Sequence, residues 1–267
     1  MKIKGDLSKM QVHFMNPINY HLNLGNTPVE MNKYLGNKIS IIFEGVIHCV
    51  DCGKTIPKAY GQGFCYPCFL KSPMNSECII RPELCEAHIG KGRDPEWEKK
   101  HHDQPHIVYL ALTSSVKVGV TRLDQVPVRW IDQGAWKSII LAEVPYRQLA
   151  GQLEISMKQF MSDKTPWQKM LKNEMDRFTD LSDIKSEIQK YIPDNFRDYV
   201  VLDSSIYEFN YPVLAYPEKV KSINLLKESH IEGVFTGIRG QYIMIDQELV
   251  LNIRNHSGFQ IILSFEH

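Results

Sequence analysis

The sequence has no excess of charge of either sign. Its 267 residues include 31 Lys and Arg and 31 Asp and Glu, so the formal net charge at neutral pH is zero. Such a chain has no overall positive field that would attract nucleic acid. Any binding of nucleic acid would therefore depend on a local basic patch.

The sequence also lacks a long apolar run. The longest one, Ile39 to Val50, is interrupted by Glu44, Gly45 and His48, whereas a membrane-spanning helix needs about 20 predominantly apolar residues. The first ten residues, MKIKGDLSKM, contain no apolar stretch of signal-peptide length. We therefore predict a soluble, cytoplasmic protein with no membrane partner, and the length allows two or three small domains.

Cysteines are few, but four of the six form two regular pairs. Cys49 and Cys52, and then Cys65 and Cys68, have C-x2-C spacing with twelve residues between the pairs. Four thiolates complete the tetrahedral shell of a zinc ion and leave no position for water. The pattern predicts a structural zinc ribbon. The alternative is a set of free cysteines without a metal, since cytoplasmic thiols stay reduced.

A second and less regular group of metal-binding residue types follows. Cys78, Cys85 and His88 are candidate ligands of a second zinc ion, and His101, His102 and His106 lie further along the chain. The spacing of these residues is irregular. The alternative is a loop in which the two cysteines are ordinary buried small residues and the histidines are solvated.

The middle of the chain alternates between strand and helix patterns. Alternating apolar residues at 107–112 and 116–120 flank a Thr-Ser-Ser link and predict a β-hairpin. A short helix around Trp130 should follow, then a strand at 138–144 and a helix at 146–161. The predicted order is hairpin, helix, strand, helix.

This order, with Tyr109 on the first strand, Lys117-Val-Gly on the second, Arg129 on a helix and Glu154 on the last helix, resembles the GIY-YIG nuclease domain. The resemblance implies that Tyr109 helps to activate water, Arg129 stabilises the attacked phosphate and Glu154 binds Mg²⁺ or Mn²⁺. It also implies phosphate contacts from Lys117 and Arg122, with Lys117 at the position where a tyrosine is usual. A guanidinium and a hard cation are suited to the charge of a phosphodiester in displacement.

Each of these residues also has a structural alternative. Arg129 can pair with Asp132 three residues on, and Glu154 can pair with Lys158 four residues on, as helix surface residues commonly do. Tyr109 can be a half-buried strand aromatic whose hydroxyl reaches water.

A second resemblance covers the segment from His48 to Thr165. This part is similar to an uncharacterised bacterial domain-of-unknown-function family, number 2797. The matching segments in this sequence are CVDCGK, GFCYPCF, PEWE, HIVYLA, KVGVTR, PVRWIDQGA and DKTPW. This resemblance implies a family but no activity.

We predict an α+β protein in which a zinc ribbon follows a small β unit, and a small SH3-like or OB-like β barrel follows the GIY-YIG-like module. The predicted segments are 1–47 (β unit), 48–104 (cysteine-rich zinc-binding segment), 105–178 (GIY-YIG-like module), 179–204 (helical linker) and 205–267 (C-terminal barrel).

The predicted function is nucleic-acid binding, with divalent-metal-dependent cleavage of a phosphodiester as the enzymatic form of that function. The predicted cofactors are structural zinc and Mg²⁺ or Mn²⁺. One alternative is a non-catalytic, zinc-containing module that keeps the nuclease-like fold to bind RNA, DNA or a protein. Another is a purely structural zinc adaptor with no affinity for phosphate.

Overall fold

The computed structural model describes residues 2–161, 164 and 166–266 of the chain. The fold is mixed α+β and divides into two compact units. Unit 1 comprises Met1–Leu70, Leu171–Asn173 and Asn210–His267, and unit 2 comprises Lys71–Met170 and Glu174–Phe209. The predicted cysteine-rich segment, 48–104, is thus divided between the two units.

The elements follow the chain in this order. The strands are β1 (Lys2–Asp6), β2 (Gln11–His13), β3 (Asn19–Leu24), β4 (Thr27–Glu30), β5 (Lys38–Ile47), β6 (His106–Leu112), β7 (Val116–Arg122), β8 (Lys137–Val144), β9 (Tyr207–Glu208), β10 (Lys221–Ser222), β11 (His230–Arg239), β12 (Tyr242–Ile245), β13 (Leu249–Asn252) and β14 (Phe259–Glu266). The α-helices are α1 (Tyr66–Lys71), α2 (Pro95–His102), α3 (Val128–Asp132), α4 (Arg147–Lys158), α5 (Trp167–Leu171) and α6 (Leu181–Ile188). Among the short 3-10 helices, Glu77–Ile79, Pro82–Leu84, Ala87–Ile89 and Leu123–Gln125 bear on the sites described below.

Unit 1 contains a seven-stranded sheet and a three-stranded sheet. The larger sheet has the strand order β1-β14-β5-β11-β12-β13-β10, and the smaller one has the order β2-β3-β4. Neighbouring strands are antiparallel except for β10 and β13. In β14 every second residue is buried, as expected for a strand with one face toward the core.

Strand β5 joins the two ends of the chain in one sheet. It pairs on one side with β14 and on the other with β11. The sequence predicts residues 1–47 and 205–267 as two separate parts, whereas the strands of both parts share this sheet. A barrel that contained the C-terminal strands would also have to include β1 and β5.

Unit 2 is built on a four-stranded antiparallel sheet with the order β7-β6-β8-β9. The predicted hairpin is confirmed as β6 and β7, paired from His106 and Arg122 to Leu112 and Val116. All seven residues of β6 are buried because the strand has a partner on each side. Strand β9, which the sequence assigns to the C-terminal part, instead pairs with β8 in this unit.

Helix α4 packs on this sheet and buries the predicted apolar stripe. Leu153 and Met157 are fully buried, and Leu149 is partly buried against the same core. The predicted order of hairpin, helix, strand and helix is confirmed by β6, β7, α3, β8 and α4. Within the described residues, no helix combines the length and the apolar character needed to cross a membrane.

The opposite side of α4 holds a loop of unit 2 at Gly151. A Cβ atom at this position would lie 2.2 Å from the backbone nitrogen of Glu83 and 2.5 Å from the carbonyl carbon of Pro82. Both obstacles are backbone atoms, so a side chain could fit only if the helix and the loop moved apart.

We expect Gly151→Ala to destabilise unit 2 by about 1–3 kcal/mol, because the cost of overpacking exceeds the usual gain of about 1 kcal/mol from alanine in a helix. The measurement is urea unfolding followed by tryptophan fluorescence. Gln152→Ala, at the exposed neighbouring position, is the control and should change stability by less than about 0.5 kcal/mol. A Gly151→Ala variant as stable as the wild type would contradict the close contact.

Candidate functional site

The four predicted zinc ligands of unit 1 lie together. The Sγ atoms of Cys49, Cys52, Cys65 and Cys68 are all within 4.8 Å of one another, and Cys52 and Cys65 are 3.8 Å apart. A tetrahedral zinc ion with Zn–S bonds of about 2.3 Å separates two sulfur ligands by about 3.8 Å. A disulfide would require about 2.05 Å, and the cysteines are free. The cluster could hold a zinc ion.

The backbone of the first cysteine turn directs N–H groups toward sulfur. Gly53 has a φ of 70°, and its N–H donates to the carbonyl of Cys49, which closes the turn. The N–H of Cys65 donates to Cys49 Sγ at 3.2 Å. Burial opposes ionisation of Cys49, but hydrogen bonds from backbone N–H groups outweigh it and lower its pKa to about 6. These donors stabilise a thiolate, which is the form that binds a metal.

The cysteine turns are also attached to the sheet of unit 1. The N–H of His48 donates to the carbonyl of Gly258, while the N–H of Val50 donates to that of Gly63 and joins the two cysteine segments to each other. A Cβ atom at Gly258 would lie 2.1 Å from the carbonyl oxygen of His48, so the two segments are in close backbone contact. His48 Nδ1 is 2.8 Å from a carboxylate oxygen of Asp6. The cysteine turns are therefore fixed to strands β1 and β14.

The second group of cysteines lies in unit 2, and the third residue beside it is His102. Ligand atoms of Cys78, Cys85 and His102 are within 4.8 Å of one another, and all three residues are buried. The sequence predicts His88 in this place. His88 is not a member of the group; its ring stacks on Tyr146 at a centroid distance of 4.2 Å.

Tyr109 and Lys117 meet at the side chain of Gln133. The Tyr109 hydroxyl donates to Gln133 Oε1 at 2.8 Å, and Lys117 Nζ donates to the same oxygen at 2.7 Å. Gln133 directly follows α3 as its C-cap residue, so this short helix places its amide over the hairpin. Tyr109 and Lys117 are 0% and 3% exposed.

The backbone around Tyr109 is adapted to its ring. Gly119 lies opposite Tyr109 on β7, and a Cβ atom there would be 2.6 Å from the hydroxyl oxygen. On the other side, the pairing of β6 with β8 shifts by one residue between Val108 and Tyr109. Such bulges change the direction in which a side chain points and are frequent beside functional sites. The glycine of the predicted second motif is thus explained by the space that the tyrosine occupies.

Arg129 and Glu154 are electrostatic neighbours of Tyr109. Burial raises the pKa of the Tyr109 hydroxyl to about 12, the charge of Arg129 opposes this increase, and the charge of Glu154 adds to it. Glu154 is 9% exposed, and its Oε2 is 3.4 Å from Lys158 Nζ. The ion pair proposed from sequence as the structural alternative for Glu154 is therefore present.

Arg122 takes a different place from the other predicted residues. Its guanidinium forms an ion pair with Asp124 at 3.2 Å, at the end of β7. Arg147, which sequence reasoning missed, is half-buried on α4 and is influenced by the charges of both Arg129 and Glu154. Gln133 was also missed, although it lies within the quoted segment PVRWIDQGA. The one signal for Gln133 in the sequence was a glutamine three residues after Trp130, which places both residues on the same side of a helix.

No curated protein and no solved structure matches the chain. A family model described as "Protein of unknown function (DUF2797)" matches residues 36–261, which is most of the chain and includes all six cysteines and the cluster around Tyr109. The chain belongs to this family.

Proposed function

We propose that this protein binds nucleic acid through the phosphodiester backbone, using the polar cluster of unit 2. The cluster consists of Tyr109, Lys117, Arg129, Gln133 and Glu154. The observation that carries the proposal is the meeting of Tyr109 and Lys117 at one oxygen of Gln133, with Arg129 beside the tyrosine. The guanidinium of Arg129 is a donor suited to phosphate oxygens, and the ammonium of Lys117, which has three N–H donors, lies beside the same tyrosine.

The order of elements supports the same proposal. Tyr109 on β6, Arg129 just after the hairpin on α3 and Glu154 on α4 keep the arrangement that led to the resemblance with the GIY-YIG nuclease domain. We propose that unit 2 has this fold. Because the formal net charge of the chain is zero, attraction to a polyanion has to come from this local group of cations, and it will be sensitive to salt.

The geometry favours binding over cleavage. A tyrosine with a pKa of about 12 remains protonated near neutral pH, and its proton is donated to Gln133. It is therefore poorly suited to accept a proton from water. Glu154 has the cation of Lys158 at 3.4 Å, and a metal ion at the carboxylate would compete with that cation.

The second candidate function is Mg²⁺-dependent cleavage of nucleic acid. The observation in its favour is that Tyr109, Arg129 and Glu154, the three residues given catalytic roles by the resemblance, are electrostatic neighbours. In this form of the proposal Glu154 binds the metal ion and Lys158 moves away from it. Mg²⁺ needs only one or two carboxylates because it keeps most of its water ligands.

We also propose that the four cysteines of unit 1 bind zinc and that this zinc is structural. The site has four thiol ligands and no open position, so it stabilises the cysteine turns and supplies no reactive water. It fixes the segment that is attached to β1 and β14 through His48 and Gly258.

We expect Arg129→Gln to weaken binding about tenfold, which corresponds to about 1.4 kcal/mol, and to reduce the slope of log K against log salt by about 1. The measurement is fluorescence anisotropy with labelled 20-mers of single-stranded DNA, double-stranded DNA and single-stranded RNA, from 50 to 200 mM salt. Arg197→Gln is the matched control, because Arg197 is an exposed residue of unit 2 that pairs only with Asp194 among the ion pairs described. Binding that is absent for all three probes, or that both variants weaken equally, would contradict the proposal.

If the cluster cleaves nucleic acid, Glu154→Gln should reduce the rate at least about 100-fold while leaving affinity within about threefold, since the carboxylate acts on the metal and not on the ligand in its ground state. The measurement is cleavage of the same oligonucleotides with Mg²⁺ and with Mn²⁺. Glu143→Gln, at an exposed position of β8, is the control. If no probe is cleaved by the wild type with either ion, cleavage is excluded and the binding proposal is unaffected.

We expect Cys49→Ser to remove one zinc ion per chain relative to the wild type and to lower the melting temperature of unit 1, because binding of a structural zinc contributes folding free energy. Metal content is measured by mass spectrometry on untagged protein, and unfolding by calorimetry. Lys54→Ala is the control, since only the backbone carbonyl of Lys54 contributes to the cysteine turn. An unchanged zinc content in Cys49→Ser would contradict the assignment.

A further inference from the structure

The geometry points to a second zinc site in unit 2, formed by Cys78, Cys85 and His102. Cys78 lies in the 3-10 helix Glu77–Ile79, and Cys85 directly follows the 3-10 helix Pro82–Leu84. His102 is the last residue of α2. The inference does not depend on nucleic-acid binding. It differs from the ligand set expected from sequence in having His102 and not His88 as the nitrogen ligand.

The distances within the group match a metal shell. His102 Nδ1 lies 3.7 Å from Cys78 Sγ and 3.5 Å from Cys85 Sγ. For tetrahedral zinc, with bonds of about 2.3 Å to sulfur and about 2.05 Å to nitrogen, the expected separation of such ligands is about 3.6 Å. Three side chains from three separate elements thus present soft ligand atoms at the spacing that zinc requires.

The loop that carries the two cysteines has only a small apolar centre of its own. The apolar cluster at its centre consists of Cys78, Cys85 and Ala87. Its backbone forms isolated 3-10 helices, and the side chains of Ile80 and Ile89 are exposed. Segments with so small a core are commonly stabilised by a metal or a disulfide. A disulfide is not formed, since both cysteines are free.

Groups around the ligands orient them. Ser76 Oγ lies 3.2 Å from Cys78 Sγ, and the guanidinium of Arg147 donates from Nε and Nη2 to the carbonyl of Cys78 and from Nη2 to that of Ile79. Contacts of this kind fix the direction of the side chains that bind the metal in metal sites. A Zn²⁺ ion with two thiolates and a neutral imidazole carries no net charge, so it is compatible with burial beside the cation of Arg147.

Three protein ligands leave the fourth position of a tetrahedral zinc ion for a water molecule or a small ligand. The site lies beside helix α4. Arg147, Gly151 and Glu154 are spaced by four and three residues along α4 and therefore lie on one side of the helix. The cysteine loop contacts that side at Gly151. The second zinc ion would thus hold the loop on α4, one turn from Glu154.

The test is the zinc content of the untagged full chain, measured by mass spectrometry after dialysis. We expect two zinc ions per chain in the wild type and one in His102→Ala. His101→Ala is the matched control: the ring of His101 stacks on Trp97 and its Nδ1 is 2.7 Å from the carbonyl oxygen of Trp97. His101→Ala and His88→Ala should both keep two zinc ions. One zinc ion in the wild type, two in His102→Ala, or a loss in His88→Ala would overturn the assignment.

A ligand-preserving variant covers the case in which His102→Ala does not fold. His102→Cys should fold, retain two metal ions and, after substitution with Co²⁺, show a stronger sulfur-to-cobalt charge-transfer band by the contribution of one additional thiolate. A His102→Cys protein whose cobalt spectrum equals that of the wild type would show that residue 102 does not bind the metal.

Discussion

The side-chain oxygen of Gln133 accepts two hydrogen bonds in the interior of unit 2, and the arrangement of the candidate site depends on it. Its donors are a hydroxyl from β6 and an ammonium from β7. A buried ammonium without acceptors would cost several kcal/mol, and α3 delivers one acceptor to Lys117. The short helix is followed directly by Gln133, whose side chain reaches the hairpin. Gly119 then has to lack a side chain, because the tyrosine ring fills the space over it.

The two clusters of thiols bear on a different question, which is how segments with little regular secondary structure are stabilised. In unit 1 the first cysteine pair lies in a tight turn after β5 and the second pair spans the start of α1, so that all four thiols meet at one point. In unit 2 the segment between α1 and α2 is a chain of 3-10 helices with an apolar centre of three small residues. A metal with strong bonds to few atoms suits both segments, because it replaces the large apolar area that a conventional core would need.

Local patterns in the sequence predicted local structure well. The hairpin, the stripe of α4 and the pairing of the four cysteines of unit 1 are all encoded within a few residues or in regular spacing. Partners that are far apart in the chain were not predictable. β5 pairs with β14 more than 190 residues away, and nothing in the local alternation of either strand specifies the other.

His102 shows the same difficulty at the level of one residue. The spacing between Cys85 and the histidines that follow gave no reason to choose His102, because its position is set by the capped start of α2. The Asp94 side chain accepts from the N–H of Trp97, and eight residues of helix then place His102 next to the thiols. Its neighbour His101 points along a different side of the helix and stacks on Trp97. Helical phase, and not proximity in sequence, decides which histidine meets the cysteines.

Lys117 also bears on whether the cluster is an enzyme. A tyrosine at this position would offer a second hydroxyl that can exchange a proton, whereas a protonated lysine offers only N–H donors and no acceptor. With Lys117 and Tyr109 both donating to Gln133, the single proton of Tyr109 is engaged, and its high pKa keeps it in place. The hydroxyl can still accept a hydrogen bond, and Arg129 supplies one. Tyr109 is thus held as a protonated donor to Gln133, and a hydroxyl in that state is poorly suited to activate water.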